Sequence, residues 1–323
     1  MAQTPNADLW SLPNYAGELF TADMINTPLL SIMGGLTGGG LQTTNFEFPV
    51  TSEYDFPGPA QPAISETQSM EAEDPTHAVR EQEKNVTQIF RQAVKLSYVK
   101  LSNRGKMSGI NTAGASNNVE DELAFQINYN LQIIARNVEH TIINGAYQTT
   151  TAVGSAARTR GLLAAVNGAT LAGDGGVRVD ADGGALTRAM LQELWREMFS
   201  KGAPFTNPAI IVNGYQKQAI SDIYGYAPES RNVGGLNIQQ IETDFGNIGV
   251  LPAHRFMPTT SLLVVELSML SPVFQPVPNK GNFFYEEKQQ AGAAVGGEIF
   301  GQFGLDHGPS FMMGEIYGLA DGS

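Results

Sequence analysis

The chain contains no cysteine, which excludes disulfide bonds and thiolate metal sites. It also lacks an apolar run near the roughly 20 residues that cross a bilayer. Its N-terminus shows no basic region followed by a hydrophobic stretch, the pattern of a secretory signal. Together these absences predict a soluble protein that does not enter the secretory pathway or a membrane.

Basic residues are scarce, with 19 Lys and Arg against 32 Asp and Glu, a formal net charge of −13. A protein that grips phosphates through its own surface normally has the opposite balance. The charge therefore argues against specific nucleic-acid binding but allows the chain to enclose nucleic acid. With 323 residues, 36 of them glycine and 17 proline, we expect about two lobes of mixed α+β structure.

Motifs of catalysis and metal binding are also missing. The segment 34–40 is rich in glycine but lacks the Lys-Ser/Thr ending of a phosphate-binding loop, so we interpret it as a flexible joint. The aspartates within 174–182 lack the spacing of a calcium loop. Asp306 and His307 near Ser310 resemble a hydrolase triad only by residue type. No two of the four histidines stand at the spacing of metal ligands. They are His77, His140, His254 and His307. We expect no enzyme activity, no metal and no cofactor.

A long hairpin is predicted between about Thr43 and Lys106. The first strand places Phe46, Phe48 and Val50 on one face, and a second strand from 87 to 101 again alternates apolar and polar residues. A proline-rich, acidic tip lies between the two strands. A hairpin of this length cannot bury both faces within its own subunit.

Charge is segregated along this hairpin. Residues 66–84 carry six acids and two bases, whereas residues 88–106 carry five bases and no acid. Such segregation suits docking onto copies of the same molecule, where opposite signs meet. Solvated charge on an exposed hairpin is the alternative explanation. The candidate inter-subunit residues are, from this hairpin and from apolar anchors in the N-terminal segment, Phe56, Pro57, Glu71, Glu73, Asp74, Arg91, Lys95, Tyr15 and Phe20.

A single amphipathic helix is predicted from about Val119 to Asn144, roughly 40 Å long. Its apolar stripe runs through Ile127, Ile134, Val138 and Ile142. A second set of apolar residues lies on another face of the helix, so two faces must be covered by other parts of the protein or by other copies. We expect neighbouring copies to supply part of this cover, as for the hairpin.

A helix-plus-sheet lobe follows. Its helix from about 187 to 201 should turn Met190, Leu191, Leu194, Met198 and Phe199 inward. Further elements are predicted at 209–213, 216–224, 237–243, 248–251 and 262–266, and two final strands at 298–305 and 311–319, joined by a turn at 306–309.

The order of these parts resembles the major capsid protein of tailed bacteriophages, the Hong Kong-type fold, in the family without a fused scaffolding segment. The stretches that carry the resemblance are Arg158–Leu162, Pro208–Asn213, Thr243–Leu251 and the closing block Gly297–Leu319. Each stretch is a weak match by itself, but the stretches occur in the family's order, and the resemblance covers nearly the whole chain.

The resemblance implies an α+β fold with four parts. Residues 1–40 would form an N-terminal arm and 41–107 the E-loop, which lies across an adjacent subunit. Residues 108–156 and 282–323 would form the peripheral domain, with a spine helix at about 118–145. Residues 157–281 would form the axial domain at the centre of the capsomer.

The resemblance further implies the chain's function and partners. The chain would self-associate into pentamers and hexamers of an icosahedral shell around packaged double-stranded DNA, without sequence-specific binding. It would be assembled in the host cytoplasm and reside in the virion. A separate scaffolding protein, a portal and a decoration protein are the other expected partners. The alternatives are an encapsulin-like nanocompartment shell and, from another class, an extracellular hydrolase or glycan binder.

Overall fold

The computed structural model describes residues 27–36, 39–54, 58–72, 75, 77–102, 122–150, 154–168, 175–224, 230–233, 236–253, 255–289 and 292–322. Within these ranges the chain forms helices α1 to α6 and strands β1 to β14, arranged in three sheets. The helices are Pro28–Ile32, Tyr98–Ser102, Glu122–Asn144, Leu162–Asn167, Arg188–Ser200 and Gly214–Tyr224. The strands are Leu41–Gln42, Glu47–Tyr54, Arg80–Val86, Gln88–Ser97, Val177–Asp180, Pro208–Val212, Ser230–Val233, Leu236–Thr243, Gly246–Pro252, Leu262–Glu266, Ser271–Phe274, Phe283–Glu287, Ala294–Asp306 and Gly314–Tyr317.

A seven-stranded sheet in the order β5-β14-β10-β6-β9-β8-β7 forms the centre of one lobe. Every residue of β6 and β10 is buried, and both strands have nearly continuous apolar sequences. Ile210 faces a core cluster shared with α5 and α6, whereas its neighbour Ile211 faces a second cluster shared with α3 and α4. The sheet is therefore covered on both faces, because successive side chains point to opposite sides.

A five-stranded sheet is built around β13, which pairs with β4, β11 and β12. The sequence placed residues 87–101 in the hairpin as one strand, and this assignment was wrong. β4 instead runs along β13 in the body of the protein, where Phe90, Val94 and Leu96 are buried. Its ladder ends at the pair Ser97–Ala294, where β13 begins, and the chain then turns into α2.

The protruding hairpin consists of β2 and β3, paired from Glu47–Val86 to Tyr54–Arg80 with an irregularity after Pro49. β3 has the sequence Arg-Glu-Gln-Glu-Lys-Asn-Val, which has no apolar alternation. Its pairing was therefore not visible from periodicity. The structure contains a hairpin in this region, but its second strand is β3, which precedes the predicted strand in the chain.

Helix α3 is covered unequally along its length. Ile134, Val138 and Ile142 in its C-terminal half are at most 1% exposed, so the chain itself covers this half. Ile127 in the N-terminal half is only partly buried, and Phe125 is 41% exposed. The expectation that this helix depends on neighbouring copies is wrong for its C-terminal half.

Helix α5 begins after Thr187, whose hydroxyl caps it by accepting a hydrogen bond from the backbone N–H of Met190. Leu191, Leu194 and Met198 face inward as predicted. Phe199 does not, because it is 60% exposed, and Trp195, which the sequence argument omitted, is buried beside the leucines.

The two C-terminal strands do not form a hairpin. After the predicted turn at 306–309, β14 joins the seven-stranded sheet, parallel to β5 and antiparallel to β10. The turn thus moves the chain from the five-stranded sheet to the seven-stranded one.

Candidate assembly surface

The distal part of the hairpin has no cover from its own subunit. Every described residue from 54 to 82 is exposed, namely 54, 58–72, 75 and 77–82. Apolar side chains are among them, with Tyr54 62%, Ile64 63%, Met70 77% and Val79 65% exposed. These exposed apolar side chains make the segment the candidate assembly surface.

Asn85 anchors the base of the hairpin through four hydrogen bonds. Its side-chain oxygen accepts from the backbone N–H of Val86 at 2.9 Å and from that of Arg160 at 2.8 Å. Its amide donates to the carbonyl oxygens of Leu305 at 2.7 Å and Arg160 at 3.3 Å. One fully buried amide thereby joins β3, the turn after α3 and the end of β13.

The turn around Arg160 depends on a close approach of two glycines. The backbone N–H of Gly161 donates to the carbonyl of Gly145 at 2.8 Å, so the end of α3 touches the start of α4. A Cβ atom on Gly161 would lie 2.4 Å from the nitrogen of Gly145 and 2.7 Å from the carbonyl oxygen of Thr141. No side chain fits there, which explains why this turn carries glycine on both sides.

Arg160 also forms an ion pair with Glu83 of β3, and both side chains are largely buried. Its guanidinium lies over the ring of Tyr147 at 4.7 Å, and burial lowers the pKa of Arg160. The sequence counted Glu83 among the acids available for docking. In the structure, the carboxylate of Glu83 pairs with Arg160 of the same subunit instead. This ion pair fixes the position at which the hairpin leaves the rest of the subunit.

The predicted interface residues fall into three groups. Glu71 and Lys95 are exposed and open to contact. Arg91 is exposed but pairs with Glu298 of the same chain at 2.9 Å. The remaining six lie outside the described residues: Phe56, Pro57, Glu73, Asp74, Tyr15 and Phe20.

The sequence analysis did not identify Glu139, a buried acid that holds α1 against α3. Glu139 on α3 is fully buried and accepts hydrogen bonds from the backbone N–H groups of Leu29 and Leu30 in α1. The signal was available, because position 139 lies on the same helical face as Ile142 and Ile143. An acid on an apolar face needs a specific partner.

The residues that resembled a hydrolase triad serve the turn between sheets. Asp306 accepts a hydrogen bond from the backbone N–H of Gly308, and Nδ1 of His307 lies 2.8 Å from the carbonyl of that glycine. Burial lowers the pKa of His307 to about 4, so the ring is neutral at neutral pH. The side-chain hydrogen bonds of Asp306 and His307 thus lie within the turn.

The described part of the chain contains no group of three or more acidic or histidine side chains placed to hold a metal ion. Among the helices that the structure describes, none is both long and apolar enough to cross a bilayer.

The mixed helix and sheet architecture is that of the Hong Kong-type fold of phage capsid structures. A family model described as "SU10 major capsid protein" matches residues 2–320. The chain belongs to this family of major capsid proteins.

Solved structures show the same fold at low sequence identity. The capsid of cyanophage A-1(L) matches with a TM-score of 0.63 and 14% identity, covering 98% of this chain and 99% of that chain. Mycobacterium phage Bobi matches with a TM-score of 0.58 and 12% identity, covering 96% and 95%. The holo-SrpI encapsulin complex from Synechococcus elongatus matches with a TM-score of 0.59 and 12% identity, covering 96% and 94%. A search of curated protein sequences finds no match.

Proposed function

We propose that copies of this major capsid protein build a closed shell in which each protruding hairpin acts as an E-loop on an adjacent subunit. The observation that carries the proposal is the complete exposure of the described hairpin residues between 54 and 82, including Ile64 and Met70. An isolated subunit gains nothing from exposing these side chains to water, whereas contact with a neighbour buries them.

The parts of the subunit take the corresponding roles in this proposal. Helix α3 is the spine of a peripheral domain formed mainly by residues 108–156 and 282–323, and the axial domain is formed mainly by residues 157–281. Two strands cross these bounds, since β11 pairs with β13 in the five-stranded sheet and β14 joins the seven-stranded sheet. Within the predicted arm 1–40, the part before α1 contacts neighbours, because α1 itself is buried in the core of its own subunit. The buried network around Asn85 fixes the hairpin's direction, so that many copies present it with the same geometry.

Assembly in this proposal proceeds through hexamers and pentamers. Each contact is modest, and repetition around a closed shell makes the whole stable, since later contacts form at high effective concentration. A separate scaffolding protein, a portal and a decoration protein would complete the virion, after assembly in the host cytoplasm. The chain acts as a structural protein and has no enzymatic role.

The net charge of −13 suits a shell that encloses double-stranded DNA without binding its sequence. A wall of the same charge sign as DNA repels the packed genome and lets it coil freely. A strongly positive inner surface of the assembled shell would contradict this part of the proposal.

Deletion of residues 57–80 tests the assigned role of the hairpin. The deleted segment makes no buried contact in its described part, so the subunit should keep its fold and its thermal unfolding midpoint. Electron microscopy should then show no closed shells under conditions where the unaltered chain forms them. A matched control is Ser69→Ala, an exposed change in the same segment that removes only a local hydrogen bond. Normal shells from the deleted chain would reject the E-loop role.

An encapsulin-like compartment is the second candidate, favoured by the likeness to the holo-SrpI encapsulin complex. Expression of this chain alone separates the two functions. Uniform shells formed without any other phage protein, and able to retain a co-expressed cargo enzyme, would favour the compartment. Monomers or irregular assemblies that become regular when a scaffolding protein is added would favour the virus.

A further inference from the structure

Three asparagines of the chain are followed directly by glycine, namely Asn144, Asn167 and Asn213. Such a pair is able to modify itself, because the nitrogen of the glycine can attack the side-chain amide of the asparagine and no Cβ atom hinders its approach. The reaction requires an asparagine side chain that is free to meet the next nitrogen. The three sites share the same local chemistry, so the fold decides which of them reacts.

Two of the three asparagine side chains are held by distant parts of the subunit. The amide of Asn144 donates to the carbonyl of Phe256 at 2.6 Å. Asn213 is 4% exposed, its amide donates to the carbonyl of Pro258 at 3.1 Å, and its oxygen accepts from the N–H of Gln216 at 2.9 Å. Neither side chain can turn toward the following nitrogen without breaking these contacts, so the fold protects both sites.

Asn167 is placed differently, because it is the last residue of α4. It is exposed, and its amide nitrogen makes no hydrogen bond in the described part of the chain. The chain leaves the helix at Gly168, which is extended with φ −72° and ψ 151°. The last turn of a helix frays easily, so the side chain of Asn167 can meet the nitrogen of Gly168.

A cationic donor faces this amide. Nη1 of Arg178 on β5 donates to Oδ1 of Asn167 at 2.7 Å. Negative charge develops on this oxygen when a nucleophile attacks the amide carbon. The guanidinium is held in place, since its Nε donates to Glu315 at 2.8 Å and the group lies over the ring of Tyr317 at 4.1 Å. A fixed donor aimed at a developing charge stabilises the transition state of such a reaction.

We propose that Asn167 and Gly168 form a self-modification site, at which Arg178 stabilises the attacked carbonyl. The nitrogen of Gly168 bonds to Cγ of Asn167 and gives up its proton. The bond from Cγ to Nδ2 breaks, and Nδ2 leaves with that proton as ammonia. Water then opens the resulting cyclic imide at one of its two carbonyls, which yields aspartate or isoaspartate. No oxidation or reduction takes part.

The products change the contacts at the end of α4. Either product places a carboxylate beside Arg178, which then faces two acids, Glu315 and residue 167. Isoaspartate also adds one carbon to the main chain directly after Val166, which is buried in the core. The inference goes beyond the proposed shell function and does not depend on it, since a single subunit contains the complete site.

Mass spectrometry of tryptic peptides tests the site in the intact, purified chain. Cleavage at Arg160 and Arg178 releases a peptide in which Asn167 is the only asparagine. Asn213 is a matched internal control, because both asparagines stand in the tripeptide Val-Asn-Gly. In mildly alkaline buffer, Asn167 of the folded chain should convert about ten times faster or more than Asn213, whereas both should convert alike in denaturant.

Three results of this comparison would overturn the proposal. The first is no conversion of Asn167 in the folded chain. The second is equal conversion of Asn167 and Asn213 in the folded chain, because the fold would then select neither site. The third is a difference of the same size in denaturant, because its cause would then lie in the sequence and not in the contact with Arg178.

Arg178→Lys tests the role of the arginine. Lysine keeps the charge and the trypsin site, but it cannot bind Glu315 and Asn167 through separate nitrogens of one planar group. With an unchanged circular dichroism spectrum, conversion of Asn167 should slow about tenfold. Gly168→Ala should also slow it, because the added methyl group hinders the attacking nitrogen. This methyl group would lie 3.1 Å from the carbonyl oxygen of Ala164, so a small shift accommodates it. Unchanged or faster conversion in Arg178→Lys would reject the role of the arginine, and unchanged conversion in Gly168→Ala would reject the attack by the glycine nitrogen.

Discussion

The carboxylate of Glu139 on α3 holds the backbone of Leu30 on α1 at 2.8 Å, across 109 residues of sequence. Its other oxygen accepts from the N–H of Leu29 at 2.9 Å. Thr27 makes no side-chain cap to α1, so Glu139 supplies the missing cap from a distant helix. The contact fixes α1 in the core, and with it the point from which residues 1–26 depart.

A pH dependence follows from this contact. Burial raises the pKa of Glu139 from 4.5 to about 7, although its two hydrogen bonds act in the opposite direction. The folded state therefore binds this proton more tightly than the unfolded chain does. The stability that Glu139 contributes is fully present below pH 4.5 and is lost as the pH rises through 7, a change of about 3 kcal/mol at most.

Glu139→Gln removes this titration while keeping the shape of the side chain. Denaturant unfolding of unassembled subunits should show the unaltered chain more stable than the variant at pH 4.5, with the difference shrinking toward pH 8. No charged side chain of α1 or α4 faces Glu139, since neither helix carries one. On α3 itself, Arg136 and His140 make no ion pair with it in the described structure. A difference that stays constant across this pH range would show that Glu139 keeps one charge state throughout.

Asn85→Ala should destabilise the subunit by about 3 kcal/mol, because it leaves several buried backbone groups without partners. The measurement is denaturant unfolding of the free subunit. Asn137→Ala is the control, since the side chain of Asn137 is exposed on α3 and alanine favours a helix. Equal stability of the two variants would mean that the Asn85 network contributes nothing to the fold.

Gly161→Ala should abolish folding or cost at least about 3 kcal/mol, because the added methyl group would meet backbone atoms that cannot move aside. Gly214→Ala adds the same group at a position with open space within 4 Å and should be tolerated. Thermal unfolding of both variants checks the contrast. A Gly161→Ala protein that melts like Gly214→Ala would show that α3 and α4 are not in close contact.

Two aspartate substitutions on α3 should differ in severity. Val138→Asp places a charge at a fully buried position and should prevent folding. Ile127→Asp falls on the half-buried part of the helix and should cost only about 1–2 kcal/mol. The yield of soluble subunit and its unfolding midpoint measure both effects. Equal loss of folding would mean that the N-terminal half of α3 is as well covered as the other half.

The sequence predicted the elements whose signal is local. The continuous apolar residues of β10 and the helical spacing of Leu191, Leu194 and Met198 are patterns that span only a few residues. The pairing of β4 with β13 joins residues that are about 200 positions apart, and no local pattern specifies it. For the same reason the placement of β14 beside β5 could not be derived from the sequence.

The role of the candidate surface residues in contacts between subunits stays a prediction. Glu71 is exposed on the hairpin, Lys95 is exposed on β4 in the body of the protein, and Glu83 and Arg91 pair within the chain. The charge of a residue alone could not show which side chains pair within the chain, because the partners of Glu83 and Arg91 are distant in the sequence. The exposed Met70 was overlooked because a single apolar residue in a polar segment carries no periodic signal.

Met70 offers the most direct test that neighbouring copies cover the hairpin. This residue is 77% exposed in the subunit, and methionine sulfur is readily oxidised when accessible. Hydroxyl-radical footprinting with mass spectrometry should compare Met70 in free subunits and in assembled shells. The account predicts oxidation in shells about five times slower or more, with full reactivity restored when the shells are dissociated. Equal oxidation rates in free subunits and in shells would contradict it.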